Sequence, residues 1–362
     1  MRQYDKSLIV EMKEKEYVKS INGVDIVFKP VPDGDREHIL DGRVLEIVKK
    51  KKSMFSKRAQ TGYSLSAERY RPDKISYDLT ESVVVCEEKV ISVQDHMIDI
   101  FIYKPEKCDR KLPVIVYLHG GGFTAGNMKL YANQMKFIAE QAESIVVFPE
   151  YRLAPECPFP GGIEDAYGTI RWVFSHKDEL NIDINKFVVA GDSAGGSLTN
   201  ACVLKDSEGI IKKVIELYAA FDLSDYSKQN AYIWSYDEYP IVEDQKELAY
   251  GRIDRIKNGN EMLKNFYLQG KATPENPLVS LVYASDDQIR KFPDTVIIAS
   301  EYDFLRVGND YMVRRMKELG VNVKSIRYNG CDHGILDFLG IIPQAEDICL
   351  VIAEEIKAMK PM

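Results

Sequence analysis

At 362 residues the chain can bury a large core, as one α/β domain with a cap or as two modest domains, and the first arrangement is expected. An apolar content of 45% and a charged content of 29% are ordinary for a soluble globular protein, and a formal net charge of −8 argues against nucleic acid and for a small neutral or apolar ligand. Charges interrupt the only apolar stretch in residues 1–20, and no apolar run reaches the roughly 18 residues of a membrane span, so neither a leader nor a span is expected and the predicted location is cytoplasmic.

Residues 1–81 are charged and partly helical in period, and they are predicted to form a cap segment; within them Lys49-Lys50-Lys51-Lys52 reads as a solvated helix face. Over 82–362, short β-branched runs alternate with longer amphipathic stretches, the pattern of a mostly parallel sheet with helices on both faces. Residues 82–90 and 91–103 are predicted as an opening hairpin-like pair. Residues 114–118, 145–148, 187–190, 214–218, 296–299 and 323–328 follow as short buried parallel strands. Most gaps between them can hold the crossover helix that a parallel connection needs. Residues 226–273 break the rhythm as an insertion carrying Tyr226, Tyr232, Trp234, Tyr236, Tyr239, Tyr250, Phe266 and Tyr267. That density predicts either a lid with an apolar underside or a cap whose aromatics pack on one another. Six cysteines, at 86, 108, 157, 202, 331 and 349, have neither CxxC nor zinc spacing, which fits reduced thiols.

The strand predicted over 187–190 runs into Gly191-Asp192-Ser193-Ala194-Gly195-Gly196, a GxSxG at a strand-to-helix junction. A serine on so sharp a turn projects its hydroxyl above the sheet, and glycines at 191 and 195 remove side chains that would clash there. The helix that follows aims its first amides at developing negative charge. Ser193 is therefore the candidate nucleophile; the competing role is an N-cap in a glycine-rich turn.

A second strand, 114–118, ends in His119-Gly120-Gly121-Gly122-Phe123. Three glycines in a row let the main chain turn N–H groups toward a substrate oxygen, which makes the amides of Gly121, Gly122 and Ala194 candidate oxyanion donors. A phosphate cradle is the poorer reading, because no Lys-Ser/Thr follows. His119 is expected to hold the loop rather than to act as a base.

Of five histidines, His38, His96 and His176 lie before the serine in places that do not suit a base. His333, in Gly330-Cys331-Asp332-His333-Gly334 after the last strand, fits the chain order serine, acid, histidine. Glu301 and Asp303 both follow the preceding strand, and Asp303 is preferred as the acid that would fix the His333 tautomer. Asp332 is disfavoured, since an immediate neighbour rarely reaches the far ring nitrogen.

Taken together, HGGGF at 119–123, Tyr151-Arg152-Leu153-Ala154-Pro155-Glu156 with Pro158-Phe159-Pro160, the GDSAGG run at 191–196, Tyr302-Asp303-Phe304-Leu305-Arg306 and Asp332-His333-Gly334 resemble the hormone-sensitive lipase family of α/β-hydrolases, in its bacterial short-chain esterase and acetylesterase branch. The resemblance covers roughly residues 85–355. The resemblance implies an α/β-hydrolase fold with a cap formed partly by the N-terminal segment, here 1–81 and the insertion at about 226–273. It also implies a serine nucleophile at Ser193, an acid at Asp303, a base at His333 and donors at Gly121, Gly122 and Ala194. One departure is visible: the family commonly reads DPLRDEG after the acid, whereas Asp303-Phe304-Leu305-Arg306-Val307-Gly308 lacks the proline and the second acidic residue.

The chemistry expected is hydrolysis of short-chain acyl esters, acetyl to about butyryl or octanoyl, through an acyl-enzyme and with no metal or organic cofactor. A small-molecule ester is the expected partner, and a homodimer is compatible with it. Two other readings stay open: a deacetylase of acetylated sugars or xenobiotics, and a non-catalytic ligand receptor on the same fold. A peptidase is disfavoured, because nothing in the chain resembles a propeller domain or an amine-recognising pair of acids.

Overall fold

The structure, a computed structural model, describes residues 1–59, 64–71 and 74–360. Among them ten strands form one sheet: β1 (Tyr17–Ile21), β2 (Val24–Lys29), β3 (Val84–Val93), β4 (His96–Pro105), β5 (Leu112–Leu118), β6 (Ile145–Pro149), β7 (Ile182–Asp192), β8 (Lys213–Leu217), β9 (Asp294–Tyr302) and β10 (Val323–Asp332). They lie in the order β1-β2-β10-β9-β8-β7-β5-β6-β4-β3. Pairing is parallel from β2 across to β6 and antiparallel in the hairpins at either end and between β4 and β6. Every residue of β5, β6 and β8 is buried, as expected of parallel strands covered on both faces.

The helices are α1 (Ser7–Glu14), α2 (Gly42–Ala59), α3 (Leu65–Tyr70), α4 (Met128–Gln141), α5 (Gly161–Ser175), α6 (Ala194–Lys205), α7 (Glu243–Leu268), α8 (Asp286–Ile289), α9 (Arg306–Glu318) and α10 (Pro343–Lys357). Right-handed crossovers that step in opposite directions along a sheet put their helices on opposite faces. The step from β5 to β6 carries α4, whereas the steps from β6 to β7, β7 to β8 and β9 to β10 run the other way, so α5, α6 and α9 cover the other face. In keeping with this, α4 packs on α10 and α5 packs on α6. The direction reverses around β5, which opens a crevice at the carboxyl ends of β5 and β7. No described helix is long and apolar enough to cross a membrane.

Three expectations need correction. The opening hairpin turns at Gln94-Asp95 rather than near residue 90, with Val93 paired to His96 and Gln94 in the left-handed region at φ 52°. Burying Ile91 and Val93, and setting Ile91 opposite Ile98, outweighs the lack of a turn glycine. The segment 1–81 is not wholly a cap. Its strands β1 and β2 form a hairpin that extends the sheet beside β10, and α1 packs on α10, while α2 lies against the insertion helix α7. Nor is the lysine run a uniform solvated face: Lys49, Lys50 and Lys52 are exposed, but Lys51 is buried. It shares a helix face with the buried Val44 and Val48, at the i, i+4, i+7 spacing.

Candidate active site

Ser193 occupies the turn between β7 and α6 with φ 54° and ψ −118°, a backbone conformation that costs a non-glycine residue about 1–3 kcal/mol and lifts its hydroxyl clear of the strand. The turn closes only because residue 195 is glycine: a Cβ there would lie 1.9 Å from the Leu118 carbonyl oxygen at the end of β5. The same absence of side chain lets the start of α6 abut the glycine loop that follows β5.

His333 follows β10 and bridges the site. Its Nε2 lies 3.0 Å from Ser193 Oγ and its Nδ1 lies 2.7 Å from Asp303 Oδ2. With Nδ1–H donating to the carboxylate, the Nε2 lone pair faces the serine hydroxyl. Asp303 is 1% exposed, and its Oδ1 accepts the Leu305 N–H at 3.0 Å. The two rival carboxylates are engaged elsewhere. Glu301 accepts the Gly330 N–H at 2.8 Å, and burial raises its pKa. Asp332 accepts from Arg252 Nε at 2.7 Å and lies 3.6 Å from Lys51 Nζ.

The loop after β5 faces the serine. No hydrogen bond from the amide of Gly121, Gly122 or Ala194 occurs among the described residues, and Ala194 opens α6, where the first N–H groups have no partner within the helix. At Gly122, φ is +62°, which favours glycine, and a Cβ would lie 2.6 Å from Leu263 Cδ1 on α7, so any side chain there would have to displace that leucine. Gly120 N–H instead donates to Asp192 Oδ1 at 2.8 Å, and the Tyr117 and Tyr131 hydroxyls donate to the same buried carboxylate at 3.1 and 3.0 Å. Asp192 thus ties the glycine loop to the serine turn, and burial raises its pKa.

His119 fits the loop-holding role. Its ring stacks on Tyr151 at 4.2 Å, and Nδ1 lies 2.8 Å from the Gly120 carbonyl. Burial drives its pKa down to about 3, which leaves the imidazole neutral. The Tyr151 hydroxyl donates to the His119 carbonyl at 2.6 Å.

A cavity of about 500 Å³ collects Ser193, His333, Gly121, Gly122 and Ala194 with residues of α2, α3 and α7. A second, more open groove lined by Tyr167, Arg171, Trp172 and Lys205 holds none of the candidate site residues. None of the eight insertion aromatics named above lines the cavity that holds Ser193. Its underside is Ile256, Met262 and Leu263 together with Arg252 and Arg255. Several pack instead on the loop of Asp303: Tyr226 and Trp234 meet Phe304 at 5.5 and 5.4 Å, and the Tyr239 hydroxyl donates to the Asp303 and Phe304 carbonyls at 3.0 and 3.2 Å, whereas Tyr267 stacks on Phe123 of the glycine loop at 3.9 Å. The loop that departs from the family by having Phe304 in place of proline is therefore held from outside by the insertion.

Sequence reasoning missed Lys51, Arg71, Lys74 and Arg252 in the cavity wall. Only Lys51 carried a signal, its helical spacing from Val44 and Val48; the others come together solely through the fold.

A strained serine at a strand-to-helix turn, a histidine and a buried aspartate in line behind it, and free amides beside it define the α/β-hydrolase class of site. A family model described as the α/β-hydrolase fold matches residues 115–337, and the chain belongs to that family, in the hormone-sensitive lipase and carboxylesterase class. A putative α/β-hydrolase of Acanthamoeba polyphaga mimivirus is 27% identical over 79% of this chain and 79% of its own length. An arylesterase of Saccharolobus solfataricus is 27% identical over 74% of this chain and 81% of its own. Among solved structures, a hyperthermophilic esterase from Pyrobaculum calidifontis superposes with a TM-score of 0.70 at 25% identity, covering 89% of this chain and 99% of its own.

Proposed function

We propose that this carboxylic ester hydrolase is a serine esterase of short-chain acyl esters, with Ser193 as nucleophile, His333 as general base and acid, and Asp303 as the carboxylate that orients His333. The observation that carries the reading is the line from Ser193 Oγ through His333 to Asp303, at 3.0 and 2.7 Å. Ser193 Oγ attacks the ester carbonyl carbon as its proton passes to His333 Nε2, and the carbonyl oxygen becomes an oxyanion held by the amides of Gly121, Gly122 and Ala194. The C–O bond to the alcohol then breaks, His333 returns the proton to the leaving oxygen, and an acyl-Ser193 ester remains. Water, deprotonated by His333, repeats the sequence and frees the acid.

Short acyl groups are favoured by a cavity of about 500 Å³ that both halves of the ester must share, with Leu263 closing over Gly122. Hydrolysis of 4-nitrophenyl acetate, butyrate, octanoate and palmitate tests the reading. The rate is expected to peak among the short esters and to fall about 10⁴-fold or more in Ser193→Ala. Failure of the folded wild-type protein to hydrolyse any of them favours the ligand-receptor reading, and turnover confined to acetylated sugars favours the deacetylase.

A further inference from the structure

The charge lining the cavity does not suit a neutral ester. Asp332 lies 3.6 Å from Lys51 and 2.7 Å from Arg252, while Lys74 pairs with Asp337 at 2.6 Å and Arg255 lies 3.6 Å from Glu68. Asp192, the remaining carboxylate in the wall, is taken up by Gly120 and two tyrosines. That leaves Arg71. Its Nε donates to the Glu68 carbonyl at 2.9 Å, and among the described residues its two terminal nitrogens meet no carboxylate and no hydrogen-bond acceptor.

Arg71 ends α3 in the left-handed conformation, at φ 37° and ψ 61°, which directs the chain out of the helix at the cavity wall. The helix is anchored there by Arg69, whose Nε donates to the Thr124 carbonyl of the glycine loop at 2.9 Å. The Arg71 charge is felt at His119 and at Lys74, so it stands beside the oxyanion loop rather than out in solvent. A half-buried guanidinium whose terminal nitrogens have no acceptor among the described residues, in a concave site, is matched by a planar anion that accepts two parallel hydrogen bonds. The chain as a whole carries a net charge of −8, so this cationic wall is a local feature and not the tail of a basic surface.

We propose that the ester taken at Ser193 carries a carboxylate, and that Arg71 binds it. This rests on the nucleophile assignment above for turnover, but not for binding. Two matched pairs decide on which side of the ester the anion lies: 4-nitrophenyl hemisuccinate against 4-nitrophenyl pentanoate for the acyl side, and 4-acetoxybenzoate against 4-tolyl acetate for the alcohol side. Rates measured with Ser193→Ala are subtracted as background. In at least one pair the anionic ester is expected to exceed its neutral twin by about tenfold or more in kcat/KM. Arg71→Gln brings that ratio close to one, and Arg71→Lys keeps part of it; taking the ratio within each variant cancels any general loss of folded enzyme.

Preference for the neutral twin in both pairs, or an anionic preference that Arg71→Gln leaves intact, overturns the proposal while leaving the esterase reading in place. If no ester is turned over, that reading fails on its own, and calorimetric binding of two anionic amides decides the anion site. These are 4-acetamidobenzoate against acetanilide and N-phenylsuccinamate against butyranilide. Tighter binding of an anionic amide than of its neutral twin, lost in Arg71→Gln, supports the site, and equal binding in both pairs removes it.

Discussion

The carboxyl end of the sheet and the cap above it are built on different plans. At the sheet, short contiguous motifs do the positioning: the serine turn, the glycine loop and the loop of His333 each follow directly from the end of a buried strand. In the cap, the cavity wall draws Lys51 from α2, Arg71 and Lys74 from the end of α3 and just after it, and Arg252 from α7; Lys51, Lys74 and Arg252 meet Asp332 or Asp337 on either side of His333, and Arg71 bonds to the Glu68 carbonyl. On the proposed reading, the first plan fixes the reaction and the second selects what enters. Changes at the sheet should therefore abolish folding or chemistry, and changes in the cap should shift stability and specificity by smaller amounts.

The largest effect is expected at Gly195. With a Cβ placed 1.9 Å from the Leu118 carbonyl oxygen, Gly195→Ala must separate β5 from α6. It should cost about 4 kcal/mol or more in urea unfolding, with loss of activity in whatever remains folded. A soluble, fully active variant would show that the two strand ends are not locked together.

Next comes Asp332, the tie between the His333 loop and helices α2 and α7. Asp332→Asn leaves Lys51 and Arg252 buried without their carboxylate and should destabilise the protein by about 3 kcal/mol at neutral pH. Burial works against the charged form, yet Lys51 and Arg252 outweigh it and hold the Asp332 pKa below the usual carboxylate value. The stability it contributes is thus complete above its unfolded pKa of about 3.9 and is lost as pH falls through the lower folded value. The stability gap between wild type and Asp332→Asn should stay flat from neutral pH down to about 4 and close below it. A gap that closes between pH 6 and 7 would assign the tie to some other group.

Much of the site was legible in the sequence because its parts are local. A strand end, two or three glycines and a reactive side chain are contiguous in each motif, so their chemistry could be read without knowing the fold. The N-terminal hairpin also carries a local signal: Asn22-Gly23 between Ile21 and Val24 is a two-residue turn, and both residues adopt positive φ, at 51° and 79°. What could not be read was the facing of the insertion. Aromatic content alone does not distinguish Tyr226, Trp234 and Tyr239 turned toward a substrate from the same residues turned toward the protein. The structure turns them onto Phe304 and the Asp303 loop.

That contact sets the smallest effect. Tyr239→Phe removes the hydroxyl that donates to the Asp303 and Phe304 carbonyls, and should cost about 1 kcal/mol of stability. Because Tyr239 holds the acid loop and does not touch the cavity, kcat should fall a few fold with KM unchanged; a change in KM alone would place Tyr239 on the substrate side after all.

The central claim is that Ser193, activated through His333, is the acylated residue. Diethyl 4-nitrophenyl phosphate, an ester analogue that phosphorylates an activated serine and releases 4-nitrophenolate, tests it through intact mass and peptide mapping. The account predicts one diethylphosphoryl group per chain, on the peptide holding Ser193, with loss of esterase activity in proportion and no adduct in His333→Ala. An adduct on another residue with activity lost, or full inhibition with Ser193 unmodified, would contradict it.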